Sequence, residues 1–414
     1  MSNVGNAGIV EPGISLKEYA DRRRRVLRSL KGAIGVVMSG DGSPPLRGEW
    51  MPDMDFAYLT GIFTEPGAMV YFDGSNPDPK KRIVLILKPV NPEIDVWDGY
   101  RDLISEKLRK ESGFETVLRT LHLPRMMTEA AKRSRRLALL HPLAAYSQPV
   151  SRDYELMQKV SARIPGCSIE DQSDLLTSMR MIKSTAELRQ IRAAIKATAA
   201  GIDRVCRSIR PGIGERELQN ELVGGFQSRG SMRNAFDPIV GSGHQATVLH
   251  YKANNQIAED GDLMVLDSGA EINRYASDIT RTLPVSGKFT KEQKKLYEIV
   301  LRAQAAAIKA VKPGATMVQV DAASRKVITD AGYGDYYPHS IGHHMGLETH
   351  DPGANSAKLK PGMVVTIEPG IYIEKDSIGI RIEDDILVTE TGSKNLSSMI
   401  PKSVRDIEAA IAER

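Results

Sequence analysis

The stretch Leu263-Met264-Val265-Leu266-Asp267-Ser268-Gly269 decides the fold, because a second stretch repeats its design. The repeat is Val364-Val365-Thr366-Ile367-Glu368-Pro369-Gly370. Each is an apolar run that predicts a buried β-strand, and each carries a carboxylate at its end. A second carboxylate stretch then follows in each copy, Asp278-Ile279-Thr280 in the first and Glu383-Asp384-Asp385 in the second. The pattern indicates two related halves.

Sequence preceding each strand supports the duplication. Pro211-Gly212 is followed by a helical pattern that ends at Gly230, and Pro313-Gly314 is followed by one that ends at Gly332, at the same interval. Self-similarity at a fixed spacing indicates an internal structural repeat. We therefore predict a pseudo-twofold domain over residues 171–414.

The first part of the chain has a different pattern. Short β-rich runs at 35–38, 68–72, 82–87 and 137–140 alternate with helical stretches such as 103–111 and 155–163. This alternation predicts an α/β domain over residues 1–170. Ser184 and Glu187 form a capping-box pattern that opens a long helix just beyond the boundary.

The duplicated carboxylates point to a metal centre. A lone aspartate at a strand end is usually a turn former, but symmetric pairs in buried strands need a common cation, because desolvating an unpartnered carboxylate is costly. Each pair is expected on a β-hairpin, one turning near Asn273 and the other near Lys375. Six of the eight histidines lie in the same domain, namely His244, His250, His339, His343, His344 and His350.

Carboxylates combined with imidazole suit Mn²⁺, Co²⁺, Fe²⁺ or Zn²⁺. Four carboxylates and one histidine suggest two ions, which would activate water for hydrolysis.

Composition excludes several other roles. The 56 Lys and Arg residues against 52 Asp and Glu residues give a net charge of +4, which favours no nucleic-acid partner. The two cysteines suggest a reducing compartment. The sequence lacks a signal-peptide pattern and any long uncharged apolar run, so we expect a soluble cytoplasmic protein with no membrane partner. The basic cluster at 22–25 is expected on the solvated face of an amphipathic helix.

These motifs resemble the pita-bread metallopeptidases, and aminopeptidase P in particular. The likeness rests on the two carboxylate strands, on the segment that carries His339, His343 and His350, on Tyr275 to Thr282 and on Arg381-Ile382-Glu383-Asp384-Asp385. In the first domain it rests on the run from Asp55 to Gly61 and on Glu65-Pro66. It therefore covers nearly the whole chain and implies an N-terminal α/β domain followed by a pita-bread catalytic domain.

The resemblance also implies roles for individual residues. Asp278 and Glu383 would bridge two ions. Asp267 would complete the site of one ion, and His343 and Glu368 would complete the site of the other. Mn²⁺ is expected, with Co²⁺, Fe²⁺ or Zn²⁺ as alternatives. His250, His339 and His350 would line the substrate site, Arg381 would support the ligands, and Glu368 would carry a proton. His344 is expected to be a partly exposed neighbour without a catalytic role.

The implied reaction removes the first residue of a peptide whose second residue is proline. A prolidase, which cuts only Xaa-Pro dipeptides, is the main alternative, and a non-catalytic pita-bread binding protein is a further one. The resemblance to aminopeptidase P also implies that the loop Trp97-Asp98-Gly99-Tyr100-Arg101 reaches a neighbouring protomer's site. A homodimer or homotetramer is therefore expected.

Overall fold

A computed structural model describes residues 12–41, 49–98 and 101–413. It divides the chain into two compact units, Met1–Met179 and Arg180–Arg414. The division falls somewhat later than the boundary predicted near residue 170, inside a helix that covers Asp174–Met181. In the described part of the chain, no helix combines the length and apolar character needed to cross a membrane.

Unit 1 contains short helices around one mixed sheet. Its elements are α1 (Leu16–Ser29), β1 (Ile34–Met38), α2 (Met54–Thr60), β2 (Met69–Asp73), a 3-10 turn (Pro79–Lys81), β3 (Ile83–Leu87), α3 (Pro92–Asp98), α4 (Glu106–Ser112), β4 (Thr116–Arg119), a 3-10 turn (Thr120–His122), α5 (Leu123–Ser134), β5 (Arg136–Leu139), α6 (Arg152–Ser161), β6 (Ser168–Asp171) and α7 (Asp174–Met181). The sheet order is β4-β3-β2-β1-β5-β6.

The predicted β-rich runs of this unit are confirmed, because they coincide with β1, β2, β3 and β5. Strands β1 to β3 pair antiparallel, whereas β4, β5 and β6 add in parallel at the two edges. Apolar residues of β1, β3 and β5 pack against α5 and α6 to form the core. The predicted α/β character of the first domain is therefore confirmed.

The prediction for the basic cluster at 22–25 was wrong for two of its four arginines. Arg22 and Arg23 are buried. Arg22 donates to the carbonyl of Tyr58 at 2.9 Å, and Arg23 to that of Leu59 at 2.8 Å. These carbonyls belong to the last turn of α2, where helix carbonyls lack backbone partners. The guanidinium groups satisfy them, a tertiary contact that helical periodicity does not reveal.

A second buried polar group in unit 1 pairs His141 with Asp53. Nδ1 of His141 lies 3.4 Å from Asp53 Oδ2, and Nε2 accepts the backbone N–H of Met38 at 2.9 Å. With Asp55, these side chains are close enough to hold a cation. Because Nε2 is the acceptor, Nδ1 carries the proton and faces Asp53. Because Met38 already uses the Nε2 lone pair, the geometry favours a hydrogen bond from His141 to Asp53 over a metal site.

This pair should make the stability of unit 1 depend on pH. Burial opposes protonation of His141, but the hydrogen bond and charge of Asp53 outweigh it and raise the His141 pKa above 6.5. Stability gained from protonated His141 is complete below the unfolded-state pKa and is lost as pH rises through the folded-state pKa. His141→Phe should cost about 1–3 kcal/mol near pH 6.

Denaturant titrations of wild type and variant from about pH 5 to about pH 9 measure this difference. The difference in free energy of unfolding between wild type and His141→Phe should shrink as pH rises. His122→Phe at an exposed site is the control, and it should leave the pH dependence unchanged. A constant difference for His141→Phe would show that the pair does not titrate.

Unit 2 is built from two similar sets of helices and hairpins. Its elements are α8 (Thr185–Ser208), α9 (Glu215–Ser228), β7 (Arg233–Asn234), β8 (Ile239–Ser242), a 3-10 helix (Gly243–Thr247), β9 (Leu263–Ser268), β10 (Ala270–Ile272), β11 (Tyr275–Ala276), β12 (Ile279–Pro284), α10 (Lys291–Ala310), α11 (Met317–Asp330), a 3-10 turn (Gly334–Tyr336), β13 (Val364–Ile367), β14 (Gly370–Ile373), a 3-10 turn (Glu374–Asp376), β15 (Ile378–Arg381), β16 (Asp384–Val388), β17 (Ser393–Asn395) and α12 (Val404–Ala412).

The predicted duplication is visible in the backbone. Helices α8 and α9 precede β9 as α10 and α11 precede β13. Gly212 and Gly314 both have a left-handed backbone, with φ of 84° and 86°. The predicted capping box is present at the start of α8, where Ser184 and Glu187 bond reciprocally. The mixed α/β fold and its duplicated second domain are therefore confirmed.

Candidate metal centre and active site

The four repeated carboxylates lie at strand ends that the duplication brings together. Asp267 belongs to β9, which pairs antiparallel with β12. Strand β12 begins immediately after Asp278. In the second half, Glu368 follows β13 and Glu383 precedes its partner β16. The predicted hairpins are also present, as β10–β11 and β14–β15 inserted between these strands.

Hydrogen bonds join the two halves at this point. Thr280 Oγ1 donates to Glu383 Oε2 at 2.7 Å, and the Glu383 N–H donates to the Thr280 carbonyl at 3.1 Å. The start of β12 is thereby tied to the stretch that precedes β16. The carboxylates of both halves consequently converge.

His343 completes the cluster. Its Nε2 lies 3.5 Å from Asp278 Oδ2 and 3.7 Å from Glu368 Oε1. Its Nδ1 lies 3.0 Å from the carbonyl of His344. A carbonyl can only accept, so Nδ1 carries the proton and Nε2 presents its lone pair to the carboxylates. Ligand atoms of Asp278, His343 and Glu383 lie within 4.8 Å of one another.

The electrostatics of the cluster favour a bound cation. Burial, followed by the charges of neighbouring carboxylates, raises the pKa of Asp278 and of Glu383 well above the ordinary values. Burial raises the pKa of Glu368 to about 7. Asp267 Oδ1 is buried and accepts no hydrogen bond from the described residues. Divalent ions would relieve this repulsion and satisfy the oxygen, so the side chains fit a metal centre.

Arg381 supports the cluster from one side. Its Nη2 donates to Asp267 Oδ2 at 2.7 Å, and its Nε to Thr280 Oγ1 at 3.2 Å. Its Nη1 donates to the hydroxyl of Tyr372 at 2.9 Å, and that hydroxyl lies 2.9 Å from His339 Nε2. Because His339 Nδ1 faces the Ser340 carbonyl at 2.9 Å, Nε2 is the acceptor. Burial lowers the pKa of His339 to about 4, so the imidazole in this series of hydrogen bonds is neutral.

His250 and His350 are exposed beside the cluster. The ring of His350 lies with its centroid 4.1 Å from that of His343. Burial, together with the charges of His343 and His250, lowers the pKa of His350. The described residues make no hydrogen bond to the His350 ring, so its nitrogens remain available to a substrate.

The expectation that His344 is partly exposed was wrong. Its side chain is buried, and neither ring nitrogen has a hydrogen-bond partner among the described residues. Burial lowers its pKa to about 4, so the ring is neutral. The ring faces Gly353, where an added Cβ would lie 2.2 Å from His344 Cδ2. The missing side chain at Gly353 makes room for the ring, which the sequence pattern did not indicate.

Three residues near the centre were not singled out from the sequence. Tyr372 joins Arg381 to His339. Because side chains alternate between the two faces of a strand, the place of Tyr372 in β14 could have indicated which face it occupies. Asp385 is buried and accepts the N–H of Asp278 at 3.3 Å. Glu215 on α9 accepts hydrogen bonds from Ser242 and Tyr251, which flank the loop that carries His244 and His250. Its position next to Gly214 carries no sequence signal for such a role.

Sequence comparison agrees with this geometry. The profile of the aminopeptidase P N-terminal domain matches residues 19–139, and that of metallopeptidase family M24 matches residues 189–390. A Xaa-Pro aminopeptidase of Escherichia coli is 31% identical over 96% of this chain and 98% of its own. The chain belongs to the aminopeptidase P group of the M24 metallopeptidases. The resemblance inferred from the motifs is therefore confirmed.

Two other relatives of this M24 metallopeptidase differ in how much of the chain they match. A Xaa-Pro dipeptidase of Pyrococcus furiosus is 42% identical, but over 54% of this chain and 65% of its own. The solved structure of aminopeptidase PepP from Pseudomonas aeruginosa has a TM-score of 0.85 and 30% identity, and it covers 97% of this chain and 98% of its own. The Escherichia coli and Pseudomonas aeruginosa aminopeptidases match over nearly their whole length, whereas the dipeptidase matches over part of its own.

Proposed function

We propose that this M24 metallopeptidase removes the N-terminal residue from peptides whose second residue is proline. The convergence of Asp278, Glu368 and Glu383 around Nε2 of His343 carries the proposal, and Asp267 adds a fourth carboxylate whose charge helps to raise the pKa of Asp278. These five side chains would hold two divalent ions. When bound, the ions supply an activated water and polarise the scissile carbonyl.

Proline accounts for the need for a dedicated enzyme. The Xaa-Pro bond is a tertiary amide without an N–H, and the ring fixes φ, so a general peptidase loses both a donor and the expected backbone shape. The exposed face of His250 and His350 offers a polar rim beside the buried ligands. These histidines would orient the peptide rather than bind the ions.

Two side chains have roles in the chemical step. His350 would donate a hydrogen bond to the oxygen of the scissile carbonyl as negative charge develops there. Glu368, whose Oε1 accepts from Thr366 Oγ1 at 3.4 Å, would accept the proton of the attacking water and deliver it to the prolyl nitrogen. That nitrogen leaves poorly unless it is protonated.

A panel of three substrates tests the function: an Xaa-Pro dipeptide, an Xaa-Pro-Yaa tripeptide and an Xaa-Ala-Yaa tripeptide. We expect the prolyl tripeptide to be cleaved at its first bond, with kcat/KM about 100-fold above that of the alanyl tripeptide. Cleavage of the dipeptide alone would favour a prolidase, the activity named for the Pyrococcus furiosus relative. Cleavage of none by the metal-loaded protein would favour a binding function.

The identity of the ions is a separate proposal. Oxygen ligands with a single imidazole favour Mn²⁺, with Co²⁺, Fe²⁺ and Zn²⁺ as competitors. Elemental analysis of the purified protein, followed by chelation and reloading with each metal, would rank them. Mn²⁺ should restore the highest turnover.

Assembly and location also remain proposals. Trp97 on α3 is 86% exposed, and Val96 beside it and Leu103 beyond it are exposed as well. Gly99 and Tyr100 of the predicted loop lie outside the described residues. Clustered apolar exposure of this kind marks an interaction surface, so we expect a homodimer or homotetramer. Sedimentation of a fully active monomer would contradict this expectation. Composition supports a cytoplasmic location, which fractionation of the producing cells would test.

A further inference from the structure

A buried charge cluster lies in unit 2, outside the set of ligands and substrate histidines. Asp351 Oδ2 accepts from Lys183 Nζ at 2.9 Å, and Asp351 Oδ1 accepts from Arg180 Nη2 at 2.6 Å. The side chains of Lys183 and Asp351 are each only 1% exposed. Burial alone would raise the pKa of Asp351, but the two cations outweigh burial and lower it. The carboxylate is therefore ionised and fully paired.

The cluster anchors the loop of residues 344–351, here called the histidine loop. The Asp351 N–H donates to the His344 carbonyl at 2.9 Å, and Asp351 Oδ1 accepts the N–H of Glu348 at 3.3 Å. The same His344 carbonyl accepts Nδ1–H of His343 at 3.0 Å. Asp351 is therefore one carbonyl away from a proposed metal ligand and one peptide bond away from His350.

The packing beneath the histidine loop is tight. A Cβ added at Gly346 would lie 2.6 Å from Lys183 Cε and 2.8 Å from Asp351 Oδ2. The Gly346 carbonyl accepts the N–H of Ala276 at 2.9 Å, two residues before Asp278. The loop backbone thus rests directly on the ion pair on one side. On the other side the loop backbone is hydrogen-bonded to Ala276, in the segment that leads to Asp278 of the proposed metal centre.

We propose that Lys183 and Asp351 are positioning residues that fix the histidine loop and thereby hold His350 beside His343. The pair lies outside the proposed ligands and substrate histidines, and it acts through the loop backbone. This inference rests on the proposed function for its kinetic consequence. Its structural consequence, the order of residues 344–351, does not depend on any activity.

A double-mutant cycle separates positioning from simple stability. Removing one partner of a buried ion pair leaves an uncompensated charge, whereas removing both can be nearly neutral. Asp351→Asn leaves the buried Lys183 cation without its carboxylate and should lower the melting temperature by roughly 10 °C for a chain of this size. Lys183→Met should lower it less, because Asp351 keeps its ion pair with Arg180. The double variant should recover most of that loss. A role in stability alone predicts that activity recovers with it.

Positioning predicts a different outcome. In metal-loaded protein, both single variants and the double variant should have kcat lowered about 10- to 100-fold, with KM within about twofold of wild type and metal content unchanged. Hydrogen exchange of residues 344–351 should be faster in all three. Arg133→Met is the control, because it removes the cation of Asp73, a fully buried aspartate in unit 1. It should lower stability without changing exchange in the histidine loop.

Recovery of kcat together with melting temperature in the double variant would overturn the proposal, as would unchanged exchange in the histidine loop. If Lys183→Met does not fold, Asp351→Asn and the double variant give the same decision. Failure of wild type to cleave Xaa-Pro peptides would refute the proposed function, and the exchange measurement would still decide the positioning role.

Discussion

Replacing Glu383 with alanine should abolish metal binding and turnover together. Glu383 is buried between the two halves of unit 2, where it accepts from Thr280 at 2.7 Å and has a ligand atom within 4.8 Å of those of Asp278 and His343. In the proposed bridging role Glu383 contributes to both ion sites, so its loss would weaken both. Metal activation contributes several kcal/mol to hydrolysis, which corresponds to a loss of about 10³-fold or more in kcat/KM.

Elemental analysis after dialysis, alongside turnover of the prolyl tripeptide, measures the effect. Glu374→Ala is the matched control, since Glu374 is an exposed glutamate on the neighbouring hairpin turn. It should keep both ions and normal turnover. Two ions still bound to Glu383→Ala with normal kcat would remove Glu383 from the ligand set.

Without metal, the Glu383→Ala variant should not be less stable than wild type. Burial, followed by the charges of Asp278, Glu368 and Asp267, raises the pKa of Glu383. A carboxyl group whose pKa is raised on folding destabilises the folded state once the pH exceeds its unfolded-state pKa. Metal-free Glu383→Ala should therefore be at least as stable as metal-free wild type near neutral pH. Added Mn²⁺ should raise the melting temperature of wild type alone.

Much of the catalytic unit could be predicted because its information is repeated. Two apolar strands ending in Asp267 and Glu368, preceded by Pro-Gly pairs at matching distances, constrain one another, so a coincidental pattern is improbable. Left-handed backbone at both Gly212 and Gly314 shows that the repeated glycines have the same physical role. Because the two halves repeat the same pattern, the strands, the hairpins and the convergence of carboxylates could be predicted from the sequence.

Features that depend on a single tertiary contact could not be predicted in this way. Arg22 and Arg23 look like surface residues by periodicity, yet they cap carbonyls of α2 from another helix. His344 looks exposed because of its polarity, yet Gly353 leaves room for its ring. Glu215 has an ordinary helical position, and only the folded loop near His250 gives it partners. Long-range partners of polar side chains leave no periodic signal in one sequence.

His350→Ala should lower kcat by about 10²–10³-fold while both ions stay bound, the scale expected for the loss of one hydrogen-bond donor to a developing oxyanion. The His350 ring lies 4.1 Å from that of His343 and is exposed toward the solvent. The described residues make no hydrogen bond to it. A ring that holds no part of the protein in place is free to bond a substrate, so its removal should spare folding.

The control for His350 is His244→Ala, which removes an exposed imidazole from the 3-10 helix Gly243–Thr247 before the His250 loop. That variant should keep kcat within about threefold of wild type, because most surface substitutions have small effects. Pre-steady-state measurement with a prolyl tripeptide separates the chemical step from product release, and a fall in the chemical step alone would place His350 at the reacting carbonyl. Near-normal kcat with both ions present would instead mean that the ions and another histidine, His250 or His339, stabilise the oxyanion.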